Sequence, residues 1–107
     1  MRKFESGAVR DDDINKLDYE GFINPKVLER FAIYMNKHRV CADGSLRKSD
    51  DWQQGIPKDV YMKSLFRHFM DLWLIHRGYE SRDENIEEVL CAIIFNSMGY
   101  LFETLKK

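Results

Sequence analysis

A strong charge of either sign is missing from this chain, because 17 lysines and arginines stand against 18 aspartates and glutamates for a formal net charge of -1. Non-specific binding to nucleic acid or to an anionic membrane surface draws on a basic excess, so neither is expected. Cysteine is scarce. Cys41 and Cys91 are far apart and fall into no CxxC or Cys/His spacing, which argues against a disulfide framework and a zinc site and fits a reducing compartment. There is no apolar run of the roughly 18 residues a membrane helix needs, and the start MRKFESGAVRDDD carries no apolar signal segment. A cytoplasmic protein is therefore expected. A Gly-rich phosphate loop, a GxSxG elbow, an HExxH motif and a Cys/His dyad are absent too. Chemistry, if there is any, must be metal-assisted or carboxylate-based.

What is present is enough apolar material for one core: 107 residues, 44% of them hydrophobic, predict a single domain over 1–107. Residues 1–23 hold no helical or strand period for more than a few positions and are expected to form an irregular N-terminal arm. The first helix is expected from Asn24 as cap and Pro25 as first residue to about Lys37, with Val27, Leu28, Phe31, Ala32 and Met35 at helical spacing. Residues 38–56 read as one long loop. The second helix starts at Pro57 or Lys58 and ends before Gly78, and its stripe of Met62, Leu65, Phe66, Phe69, Leu72 and Trp73 is expected to face the core. The third starts in the acidic stretch from Asp83 to Glu88 and runs to about Leu105, with Lys106 and Lys107 at its negative end. Between Val89 and Phe102 it is apolar on nearly every side, more than a small monomer can cover. Met70 and Leu74, opposite the Leu65/Phe69 stripe, point the same way. The expected fold is all-α, a small helical bundle completed by oligomerisation.

The acidic stretch is the first candidate site. Asp83 with Glu87, and Glu84 with Glu87 and Glu88, lie three or four apart, with Glu87 in line with Ile94 and Met98 at the edge of the inward face. Two such carboxylates and one from a facing helix would satisfy magnesium, a hard cation that takes oxygen ligands and keeps waters. The same enrichment also suits a helix start that merely matches the macrodipole. On the second helix His68 and Asp71 lie three apart, with Arg67 placed to pair with Asp71, and His76 falls within the stripe as a core histidine. Trp52 is placed either to stack on a nucleobase or to close the long loop onto the core. Arg10, Lys16, Arg47 and Lys48 are cations that could meet phosphates, and Asn96, isolated in the apolar helix, needs a partner or a ligand.

Taken in order, Gly7-Ala8-Val9-Arg10, Lys16-Leu17-Asp18-Tyr19, Asp51-Trp52-Gln53-Gln54-Gly55-Ile56-Pro57, Arg67-His68 and Ala92-Ile93-Ile94-Phe95-Asn96 resemble a family of small, mostly phage-encoded proteins. It is the dATP/dGTP diphosphohydrolase type, related to the MazG-like all-α nucleoside triphosphate pyrophosphohydrolases. The order of segments is similar over about residues 6–102. The resemblance implies a MazG-like helical domain that oligomerises around magnesium or manganese and releases pyrophosphate from purine (deoxy)nucleoside triphosphates, in a host cytoplasm if phage-encoded. It implies Asp71, Glu84, Glu87 and Glu88 as metal ligands and His68 with Glu87 in catalysis. Arg10, Lys16, Trp52, Arg67 and Asn96 would hold the nucleotide. The chain departs from the pattern at Val89, where a histidine stands, at Phe95 for a tryptophan, at Asp51 for an asparagine, at His38-Arg39 for the YG of a KYG turn, and in offering only Glu29 for an ExxE. These departures suit a second expectation: a catalytically inactive relative that binds a nucleotide or a host protein, for example against a defence system.

Overall fold

The computed structural model describes residues 2–12 and 14–106. Asp13 of the acidic run and Lys107 of the basic end lie outside the described residues. The elements are β1 (Arg2–Lys3), β2 (Val9–Arg10), α1 (Tyr19–Phe22), α2 (Pro25–Lys37), a 3-10 turn (Asp51–Gln54), α3 (Lys58–His76) and α4 (Ile86–Leu105). The fold is predominantly α-helical, and α2, α3 and α4 are the three helices the sequence predicts.

Their ends follow local chemistry. The Asn24 side-chain oxygen accepts from the backbone amides of Lys26 and Val27, and Pro25 occupies the first turn, where a missing N–H costs nothing. After α3, Gly78 at φ 80° lets its own amide and that of Tyr79 turn back onto the carbonyls of Ile75 and Leu74. Asn85 caps α4 by accepting from the Glu88 amide. The start falls inside the predicted Asp83–Glu88 stretch, with Asp83 and Glu84 ahead of the helix and Glu87 and Glu88 in its first turn.

The arm is less irregular than expected. Arg2 and Lys3 pair with Arg10 and Val9 in a two-stranded hairpin, and Asp18 caps α1 through the Gly21 amide. Nor is 38–56 a bare loop, because Val40 bridges Leu46 and the 3-10 turn follows.

The centre is an antiparallel pair, α3 against α4, with α2 laid across the N-terminal half of α4. Tyr61, 1% exposed, fills the α3/α4 seam beside Phe95 and over Gly99, where any Cβ would collide with the ring. Tyr34 of α2 packs on Cys91 and Ala92 with Phe31, Met35 and Phe95 around them. The expected α3 stripe divides. Leu65 and Leu72 are half-buried, whereas Met62, Phe66, Phe69 and Trp73 are exposed, and His76 is exposed rather than in the core. Helical spacing reports which side of a helix is apolar, not what covers it. Helix α4 has the length and mean hydropathy (1.3) of a membrane span, and it lies here along α3.

Candidate functional site

The residues singled out in the sequence fall in four places. The first is a cleft of about 280 Å³ between the end of α2, the 39–56 segment and α4. Its wall is aromatic: Trp52 meets Phe95 edge-on at 5.9 Å and Phe102 at 5.2 Å, and Tyr34 carries His38 at 4.4 Å. Its rim is basic, with His38, Arg39, Arg47 and Lys48 against one carboxylate, Asp51. The segment is tied down by Arg39, whose Nε donates to the Arg47 carbonyl (2.9 Å) and whose Nη1 donates to Asn36 (3.3 Å). Asp43 closes the turn by accepting from the Ser45 hydroxyl and amide, which hold its carboxyl below the usual range. Arg39 is thus spent on structure, while Arg47 and Lys48 keep exposed side chains at the mouth. Trp52 closes the segment onto the core, one of its two predicted roles, and also lines the cleft.

The second place is the start of α4. Arg30 Nε donates to Glu87 at 2.7 Å, Arg30 Nη2 to Glu88 at 3.0 Å, and Lys37 Nζ to Glu88 at 2.5 Å. Lys37 and Arg30 hold the Glu88 carboxyl below its ordinary value, and Glu87 first and Glu88 second push the Arg30 guanidinium up. Sequence reasoning missed both cations, which reach across from another helix.

The third is the α3–α4 turn. Asp71, 2% exposed, accepts at Oδ1 from Ser81 Oγ and Arg82 Nε, both at 3.0 Å. Arg82 Nη2 also lies 3.0 Å from Oδ2, close enough for an ion pair but not aligned as a hydrogen bond. His68 Nδ1 stands 3.8 Å from Oδ2. Burial, and then Arg82, hold His68 below the ordinary histidine value against the opposing pull of Asp71. The expected Arg67–Asp71 pair is corrected: Arg82 takes the carboxylate and Arg67 is exposed. Arg82 lies beyond the end of α3, in the turn, so helical spacing could not pair it with Asp71 and it left no signal in the sequence.

The fourth is the arm, with Arg10 on β2 and Lys16 in the following turn, both exposed and neither lining the cleft. Asn96 needs no ligand for its amide, which donates to the Ala92 carbonyl one turn back at 2.8 Å.

The proposed metal ligands do not converge. Glu87 and Glu88 turn to α2, Asp71 to the α3–α4 turn, and Glu84 is exposed ahead of α4. Among the described residues no three His, Cys, Asp or Glu side chains are placed to hold one ion. In this arrangement the carboxylates fit ion pairing better than magnesium, because each α4 acid already has a cation at hydrogen-bonding distance. In comparisons with known proteins, no family model, no curated protein and no solved structure matches the chain significantly.

Proposed function

We propose that the chain is a nucleotide-binding subunit, cytoplasmic and homo-oligomeric, that takes a purine nucleoside triphosphate into the Trp52 cleft. The observation that carries this is the pairing of an aromatic wall with a basic rim in one concavity. A base stacked on an aromatic face gains about 1–3 kcal/mol, and Arg47 and Lys48 would meet the phosphates as they leave the mouth. The volume is at the small end of ligand sites, roughly suited to a base with its sugar while the phosphates stay in solvent. Asp51 stands at the same rim and would oppose an anion, so a net attraction rests on the cations outnumbering it. Calorimetry with each nucleoside triphosphate in chelator is the test. Binding that is equally strong in wild type and in Arg47→Ala/Lys48→Ala would remove the cleft from consideration.

Magnesium-dependent hydrolysis is the second reading, and the buried Asp71 beside His68 favours it, since such pairs recur where catalytic groups are tuned. Pyrophosphate released from a purine nucleoside triphosphate with magnesium or manganese, and lost in His68→Ala, would establish the enzyme. Capture without turnover would leave the inactive nucleotide-binding relative, and neither would leave a protein-binding module.

A further inference from the structure

From the contacts of the N-terminal arm, and independently of what the cleft binds, we infer that the arm of one copy docks on the outer face of α3 of a second copy, in a reciprocal exchange.

The arm is ordered yet covers nothing. It has a hairpin, a capped helix and a glycine turn, but neither the hairpin nor α1 touches another element, and every described residue from Lys3 to Glu29 is exposed. Within ten residues it presents Ile14, Leu17, Tyr19, Phe22 and Ile23, from 52% to 86% exposed. Segments that stay unfolded carry few such side chains, so this set calls for a partner.

Among the described residues α2 leaves Val27, Leu28 and Ile33 exposed and α4 leaves Ile86, Leu90, Ile94, Leu101 and Leu105, but of the long helices only α3 exposes large aromatic side chains. Met62, Phe66, Phe69 and Trp73 follow one another at four-, three- and four-residue steps, forming a continuous seam with shallow apolar grooves beside it. At about 150–250 Å² for a fully covered aromatic side chain, the arm offers on the order of 600 Å² and the seam, already about half covered, on the order of 400 Å². Two reciprocal contacts would then meet the roughly 1,600 Å² of a stable interface.

Charge selects the arm over a second α3. The seam is bordered by the exposed cations Lys63, Arg67 and Arg77 against one exposed carboxylate, Asp59, a basic excess that packing α3 on α3 would double. Between Asp11 and Ile23 the arm is acidic on balance, with Asp11, Asp18 and Glu20 against Lys16. Reach selects a second copy over the same chain. Ile23 runs directly into Asn24, the cap of α2, and α2 packs on α4 without touching α3. Phe22 and Ile23 therefore cannot cross to the far side of their own α3. Each copy supplies both halves of the contact, which closes as a two-fold dimer.

Light scattering of the full chain should give twice the 12.8 kDa chain mass. Leu17→Asp/Phe22→Asp, placed on exposed side chains, should fall to one chain mass with helical content unchanged. Copies bearing Phe22→Cys and copies bearing Phe69→Cys, both with Cys41→Ser, should form mixed disulfides when combined and oxidised. A monomeric wild type, an arm variant that stays dimeric, or a dominant Phe69→Cys bridge to its own kind would each overturn the exchange. The last would mean that α3 pairs with α3.

Discussion

Gly99 of α4 lies against the ring of Tyr61 of α3, close enough that a methyl group would collide with the ring carbons. Gly99→Ala should therefore destabilise the fold by about 1–3 kcal/mol even though alanine is the better helix former. For a domain of this size that is a drop in Tm of very roughly 4–20 °C. Gly99→Ala combined with Tyr61→Phe should recover little, because the ring and not only the hydroxyl blocks the site; calorimetric unfolding of the two variants checks this.

The α4 acids should behave as ion-pair partners. Glu87→Gln should leave magnesium affinity unchanged within error by calorimetry, whereas specific loss of tight binding would return Glu87 to a metal site. Glu88→Gln, which strips both Arg30 and Lys37, should cost about 0.5–2 kcal/mol.

The same pairing sets an acid limb. The folded Glu88 carboxyl titrates below its ordinary value of 4.5, so its contribution is complete above that pH and is lost as pH falls from there through the folded value. Wild type should lose more stability than Glu88→Gln over that descent, and chemical denaturation at successive pH values measures the difference.

His68 should stay neutral near pH 7, its imidazole titrating below 6.5 when followed by NMR. An unfolded chain then binds the proton more readily than the folded one, so stability falls as pH drops from about 6.5 through the folded value. His68→Gln should flatten that step. Asp71→Asn, which leaves Arg82 and Ser81 with a weaker acceptor, should cost about 1–3 kcal/mol.

Trp52→Ala should both weaken nucleotide capture and lower stability by about 2 kcal/mol, since the ring is part of the Phe95/Phe102 cluster. In a Trp73→Phe background the remaining fluorescence belongs to Trp52, and quenching by a purine nucleotide but not by pyrophosphate would locate the base against the ring.

The three long helices were legible because their ends are written in local chemistry: Asn24 with Pro25, Pro57, and Gly78. The hairpin was not, since strands of two residues such as Arg2–Lys3 have no period to detect. Leu65 and Phe66 show the same limit within one helix, adjacent in an apolar stripe yet one half-buried and the other exposed. At the site, Trp52 could be singled out by its position, but the cleft could not, because Tyr34, Arg47 and Phe95 meet only in three dimensions. Arg30, Lys37 and Arg82 escaped for the same reason, each satisfying an acid that lies on another element.

That α2 rests on α4 without touching α3 divides the molecule into two layers of unequal resistance to opening. Amide protons of α2 and the bridged 39–47 segment are expected to exchange through a partial opening that leaves the α3/α4 pair closed. The Tyr34 wall of the cleft would travel with that opening and the Phe95 wall would not. A molecule seated between them would then slow exchange in α2 far more than in α3, giving occupancy a signature along the backbone.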